Sequence, residues 1–465
     1  MKRILSFLLI SSILLSFGCS GETQPKDTTA PDTTIAETTS APETTEPDIQ
    51  FEMREDQVYA ADLWDTSETL TFAFLGGSIT NGNVIYPEVL PWWPTSSNTW
   101  TNNILSYFAP KYRGVKSIKA VNIGLPGTTS DFGAARFADQ AAVYEPDVVF
   151  IEYTVNDVNM PVDVSSENIA LFYEHIIRQC LELDKIPSIV FVHTALPEER
   201  TGEKYERWLN NVTKKDELAA HYGITTINIY DRIENEHKTS GTELSFLDYL
   251  GKAGADYFSL NEEGTAYDVH PTSNGYNVIS TAIIETLEND FSAIFNKPQF
   301  APIIHTDYTN YLGMDYKLTP CTSDRISYDG EWEFYSDENR FTTEDENVHF
   351  SSTMYEFPYF IDGIAQALNT SDSSFTFTSD AAGFTLSYVT SLAGSYATAY
   401  LVNEDGTNGQ ELGRINTHSI YSGMDNLGSF VTLPNDGKEH TIRVVVDTPT
   451  DINYVLRFGY LIEIA

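Results

Sequence analysis

The spacing of apolar positions changes character several times along the chain. From Ile4 to Phe17 the run is almost unbroken and follows Lys2 and Arg3, the pattern of a secretory signal and too short to span a bilayer. From Ser20 to Gln50 the residues are Thr, Pro, Glu and Ser with almost no apolar side chain. Nothing there offsets the entropy of ordering, and proline with like charges keeps such a segment extended, so it reads as a tether. From Leu70 to about Asn296, short β-branched and aromatic runs alternate with amphipathic ones. The strand candidates are Thr71 to Leu75, Ile118 to Ile123, Val148 to Tyr153, Ile189 to Val192 and Thr226 to Ile229. Helical spacing is seen at Phe137, Ala141 and Tyr144 before Pro146, around Cys180 to about Leu183, and from Tyr276 to Phe295 before Pro298. This alternation predicts an α/β domain with a mostly parallel sheet covered on both faces and ligands bound beyond the carboxyl ends of the strands.

After Pro298 the period drops to two, in runs such as Phe375 to Thr378 and Thr441 to Val446 separated by Asp, Gly and Asn turns. That predicts an antiparallel β-sandwich, jelly-roll-like, in the last third of the chain. The expected organisation is signal 1–18, tether 19–50, α/β domain 51–298 and sandwich 299–465. Such a sandwich resembles carbohydrate-binding modules, and a purely structural partner domain is the alternative.

Composition narrows the partners. The 465 residues carry 67 Asp and Glu against 27 Lys and Arg, a net charge of −40, which excludes a nucleic-acid binder that works by neutralising phosphates. Hydrophobic residues at 41% and aromatics at 13% suffice for a large core, so the acidity reads as solubility. Of the three cysteines, Cys180 shares a helical face with Ile169, Phe172, Ile176 and Leu183 and reads as a buried thiol. Cys321 gives no basis for a bridge to it. Cys19, in Leu14-Leu15-Ser16-Phe17-Gly18-Cys19-Ser20, resembles the lipobox of bacterial lipoproteins, with Ser16 where Leu is usual. The resemblance implies a lipidated Cys19 and a protein anchored to the cell membrane, facing outside, with lipid its sole membrane contact. Ordinary signal cleavage beside a stray cysteine is the alternative.

Candidate chemistry gathers at strand ends. The first strand runs into Gly76-Gly77-Ser78-Ile79-Thr80-Asn81-Gly82, where small residues permit a sharp turn that exposes a serine. The second runs into Asn122-Ile123-Gly124-Leu125-Pro126-Gly127-Thr128-Thr129-Ser130, and the third into Tyr153-Thr154-Val155-Asn156-Asp157. Tyr267-Asp268-Val269-His270-Pro271 precedes the last helix. Ser, Gly, Asn and His thus occur in order, each at a strand-to-helix junction.

That ordered set resembles the SGNH (GDSL-type) hydrolase family over about Leu70 to Phe295. The resemblance implies a flavodoxin-like fold, Ser78 as nucleophile and His270 as base. It also implies an oxyanion hole from the Ser78 and Gly127 N–H groups and the Asn156 side chain. The Gly-Gly-Ser-Ile-Thr form, with Glu152 before Tyr153, looks like the branch with many carbohydrate esterases. The residue types suit the chemistry. A serine hydroxyl needs a base with a pKa near working pH, which imidazole supplies at about 6.5. Fixed N–H donors stabilise the oxyanion of the transition state more than the ground state, at about 3 kcal/mol each.

Two positions depart from the family pattern. Thr154 stands where Gly is usual, a change of packing. The triad acid normally lies three residues before the histidine, where this chain has Tyr267; Asp268 lies two before it. Either Asp268 orients His270 or the Tyr267 main-chain carbonyl does, and the carbonyl is favoured because the usual position holds no carboxylate.

His193, after a predicted strand, either lines the cleft or is structural. No histidine pair has helical metal-ligand spacing, so neither a metal nor a cofactor is expected. Trp92 and Trp93, with Trp100 nearby, fall in the long loop after Ser78 and are placed either to stack on sugar rings or to pack that loop. The expected activity is a serine esterase of the acetylesterase type removing O-acyl groups from a polysaccharide or oligosaccharide. Acyl transfer to another sugar and a non-catalytic glycan binder are the alternatives.

Overall fold

The computed structural model describes residues 52–464 apart from 83–97, 113–115, 161–163, 198–199, 254–256, 259–268, 305–315, 336–363, 368–372, 390–395, 417–424, 427–429, 435 and 448–455. The stretches expected to be a signal and a tether, with Cys19, Trp92, Trp93, Tyr267 and Asp268, lie outside the described residues.

Five strands, β1 (Thr69–Gly76), β2 (Ser117–Asn122), β3 (Val148–Glu152), β4 (Ser188–His193) and β5 (Thr225–Asn228), pair in parallel in the order β2-β1-β3-β4-β5. This is the flavodoxin-like order, with its reversal between β1 and β3. Alternation within each strand feeds two cores. Leu70, Phe72, Phe74, Phe150 and Val190 face one layer of helices, whereas Ala73, Leu75, Val149, Ile151 and Phe191 face the other. A sheet buried on both sides needs near-continuous apolar strands, and β1 and β3 are buried almost end to end.

The connections are α1 (Ser78–Asn81), α2 (Trp100–Lys111), α3 (Ser130–Gln140), α4 (Thr154–Asp157), α5 (Ser166–Leu181), α6 (Glu203–Tyr222), α7 (Ile229–Ser240) and α8 (Ser273–Asn289). A separate turn at Ala142–Tyr144 follows α3 and leaves Tyr144 exposed, so the face expected from Phe137 through Tyr144 ends at the buried Ala141, and Asp290 caps a further short helix, Phe291–Ile294. The run expected from Tyr276 to Phe295 is therefore two helices. Trp100, weighed as a sugar platform, is fully buried at the start of α2, edge-on to Phe74 at 5.1 Å between ring centroids.

Beyond Pro298, residues 299–304 still lie on the parallel-sheet layer. The Gln299 N–H donates to Tyr222 O at 2.7 Å, and Arg178 Nη1 donates to Ala301 O at 2.8 Å. Two antiparallel sheets follow. One contains β6 (Tyr316–Pro320), β8 (Trp332–Tyr335), β9 (Ile364–Ala367), β11 (Gly383–Val389), β14 (Asp425–Asn426), β15 (Val431–Thr432) and β17 (Arg457–Ile464); the other contains β7 (Ser327–Asp329), β10 (Ser374–Ser379), β12 (Tyr396–Val402), β13 (Asn408–Asn416) and β16 (His440–Val446). Phe375, Phe377, Phe384, Leu386, Ile442 and Val444 fill the space between the sheets, as expected of a sandwich.

The α/β and β layers share apolar contacts. Phe132 and Ala135 of α3 pack with Tyr460 and Ile462 of β17, flanked by Leu125 and Leu318. His175 on α5 hydrogen-bonds the Tyr316 hydroxyl. Truncation after residue 304 is thus expected to uncover this face and lower the melting temperature of the remainder by several degrees, about what a loss of 1–2 kcal/mol produces. Calorimetry of the truncated protein checks it, and an unchanged transition would show the interface to be without energetic weight.

Candidate active site

Ser78 opens α1 directly beyond β1, and His270 precedes α8. Although 192 residues apart, Ser78 Oγ and His270 Nε2 lie 2.7 Å from each other, and the two residues are only 6% and 7% exposed. The turn is narrow for a steric reason. A Cβ built on Gly77 would meet Asn156 Nδ2 at 2.4 Å and Thr128 O at 3.5 Å, so glycine alone lets the loops after β2 and β3 close on the serine turn. Gly127 takes φ +75°, the left-handed conformation that its loop requires. Asn156 Nδ2 donates to Thr128 O at 2.7 Å. Among the described residues it makes no other side-chain hydrogen bond, so its second hydrogen is available to a substrate oxygen. Ser78, Gly127, Asn156 and His270 therefore converge at the carboxyl ends of β1, β2 and β3, at the reversal in strand order.

His193 does not join them. It is buried, with Nδ1 3.3 Å from Thr154 Oγ1 and Nε2 3.1 Å from Asp216 Oδ1. Burial lowers its pKa, against the pull of Asp216. Its role is structural. Cys180 is likewise fully buried, its thiol pushed up by burial.

Several supporting residues were given no structural role by the sequence. Lys215 Nζ and Asp157 Oδ2 form a fully buried ion pair at 2.7 Å, and Asp157 Oδ1 accepts the Ser130 N–H at 2.9 Å, fixing the start of α3. Arg136 donates to Tyr153 Oη at 2.8 Å and to Gly76 O at 3.4 Å. Glu152 accepts Thr80 Oγ1–H at 3.0 Å and Thr194 Oγ1–H at 2.7 Å, and burial raises its pKa to about 7.

That shift has a sign. The folded state holds the Glu152 proton more tightly than the unfolded chain does. Its contribution is therefore full below about pH 4.5 and lost as pH rises through about 7, on the order of 3 kcal/mol in all. Glu152→Gln, neutral throughout, is expected to gain stability relative to wild type between about pH 5 and about pH 8. Paired melting curves test this; a constant difference across that range would count against it.

A model of the GDSL-like lipase/acylhydrolase family matches residues 74–278. No curated protein sequence matches significantly. Among solved structures, a two-domain esterase active on acetylated mannans shares 18% identity at a TM-score of 0.57, covering 86% of this chain and 93% of its own. The same kind of esterase co-crystallised with mannopentaose gives 19% and 0.56 over the same shares of the two chains. A catalytic mutant of an acetylxylan esterase from Geobacillus stearothermophilus shares 15% identity over 46% of this chain and 93% of its own, with a TM-score of 0.35. Residues 74–278 are therefore a domain similar to the GDSL-like lipase/acylhydrolase family, and the chain is a carboxylic ester hydrolase.

Proposed function

We propose that the protein is a cell-surface, lipid-anchored serine esterase that removes O-acetyl groups from a polysaccharide or oligosaccharide. The observation that carries the chemistry is the 2.7 Å contact between Ser78 Oγ and His270 Nε2 beside Asn156. In this reading Ser78 Oγ attacks the ester carbonyl while its proton passes to His270 Nε2. The oxyanion is held by the Ser78 and Gly127 N–H groups and by Asn156 Nδ2. His270 then protonates the departing sugar oxygen, which leaves as the hydroxyl, and water, activated by the same imidazole, attacks the acyl-enzyme and releases acetate. The glycan assignment draws support from the Gly-Gly-Ser-Ile-Thr and Glu152-Tyr153 motifs and from the two-domain likeness to an esterase active on acetylated mannans. Export and anchoring rest on Lys2, Arg3, the apolar run and Cys19. Acetate release from acetylated mannan, xylan and pectin by residues 51–465, a compact unit, tests the assignment. Turnover of an aryl acetate with none of these glycans accepted would overturn the glycan half alone.

Asn156→Ala is expected to lower kcat about 10²- to 10³-fold with a smaller change in KM, because its contact is tightest to the oxyanion. A change confined to KM would make Asn156 a substrate-binding residue only. For the orienting group of His270, the Tyr267 carbonyl remains our choice over Asp268. Asp268→Asn should then cost within about tenfold in kcat, whereas a loss near 10⁴-fold would make Asp268 the orienting acid.

A further inference from the structure

Glu152 is a buried acid that no step above uses. It ends β3 in register with Gly76 at the end of β1, and its main-chain carbonyl accepts the Gly77 N–H at 3.3 Å. One side-chain oxygen takes the hydroxyl of Thr80, in the turn that carries Ser78; the other takes that of Thr194, just beyond β4. A single carboxyl thereby joins the ends of three neighbouring strands where their order reverses. We propose that Glu152 is a positioning residue of the esterase, clamping the Ser78 turn to the ends of β3 and β4 through Thr80 and Thr194. The inference rests on Ser78 being the nucleophile and assigns the part that holds it in place.

The clamp also carries a charge that can change. The groups facing it are Asp157 on α4, Lys215 on α6, Tyr153 beside it, Tyr173 on α5, Tyr257 and Tyr276, with Arg136 of α3 on the Gly76 carbonyl. Below about pH 7 burial keeps Glu152 neutral. Above it, a buried negative charge builds up beside the turn whose Ser78 N–H faces the oxyanion, and like charges in a low-dielectric setting repel.

The experiment measures kcat and KM for an aryl acetate from about pH 6 to about pH 8 in wild type, Glu152→Gln, Glu152→Ala and Thr80→Val. The Ala variant is expected to lose about 10²-fold in kcat with KM little changed, and Gln to recover to within about threefold of wild type near pH 6. The ratio of wild-type to Gln kcat should fall about tenfold by pH 8, since only the wild-type carboxyl ionises there. Thr80→Val, which leaves the carboxyl in place, should lower kcat about tenfold without moving KM. A ratio flat across pH together with a Thr80→Val effect on melting temperature alone would overturn the proposal, and the Gln and Val variants decide it even where Ala fails to fold. A wild-type protein without turnover would instead defeat the esterase reading beneath it.

Discussion

Ser78→Ala is expected to cut kcat on an aryl acetate by about 10⁶-fold while leaving the fold intact. The attacking oxygen is gone, and no other described hydroxyl or thiol bonds His270: Cys180 is sealed in the core. The residue costs little to remove. Its side chain makes one hydrogen bond, to His270, so a loss of about 1 kcal/mol is expected. His270→Ala should fall to a similar rate, and the double variant scarcely lower, because nucleophile and base act as a unit. Steady-state turnover of the aryl acetate checks all three. Activity retained in Ser78→Ala would remove Ser78 from the mechanism.

The second large effect is on stability. Lys215→Met is expected to cost about 3–5 kcal/mol, because it strands the Asp157 carboxylate in a site where neither partner of the pair reaches solvent. Burial already lowers the Lys215 pKa, opposed by Asp157, so each charge is tolerated through the other. The harm should reach the active site as well, since the other Asp157 oxygen fixes the Ser130 N–H three residues past Gly127. Adding Asp157→Asn should recover most of the loss: the amide oxygen can still accept from Ser130 and no net charge is left buried. Urea denaturation of the two variants measures this. A double variant no better than Lys215→Met would show that loss of the Lys215 ammonium from the face of the Tyr173 ring, where Nζ lies 4.2 Å from the centroid, dominates instead.

These two cases also separate what could be read from the chain alone. Ser78 stood out because small residues surround a serine where the apolar run of β1 stops, and His270 because it stands just before the last helical pattern; no strand precedes it among the described residues. Strands β1, β3 and β4 were legible because a sheet covered on both faces leaves few polar residues inside them, and the more exposed edge strands β2 and β5 were legible from their β-branched residues. Helix α6 was not singled out. Its buried stripe, Tyr205, Trp208, Val212, Lys215, Ala219 and Tyr222, has helical spacing, but a lysine occupies one of its inner positions and charged residues cover the rest. A lysine on an apolar stripe was the available signal for a buried partner, and Asp157, next to Asn156, was the acid to pair with it. Trp100 was ambiguous because an aromatic near a loop has the same local pattern whether it stacks on sugar or fills the core.

Strand β17 gives the molecule a particular order of assembly. It pairs with β6, β9 and β11 inside its sheet, with Tyr316 opposite Ile464 across nearly the whole length of the sandwich sequence, and it supplies Tyr460 and Ile462 to the contact with α3. Closing so long a loop precedes any reward from the pairing, so this sheet should form slowly. A chain emerging from its N-terminal end therefore has its esterase layer complete while Phe132 still faces solvent. Until Arg457 to Ile464 arrive, that half-finished species presents both an apolar face and open strand edges, which makes it the state that a chaperone would hold and that a protease would cut first.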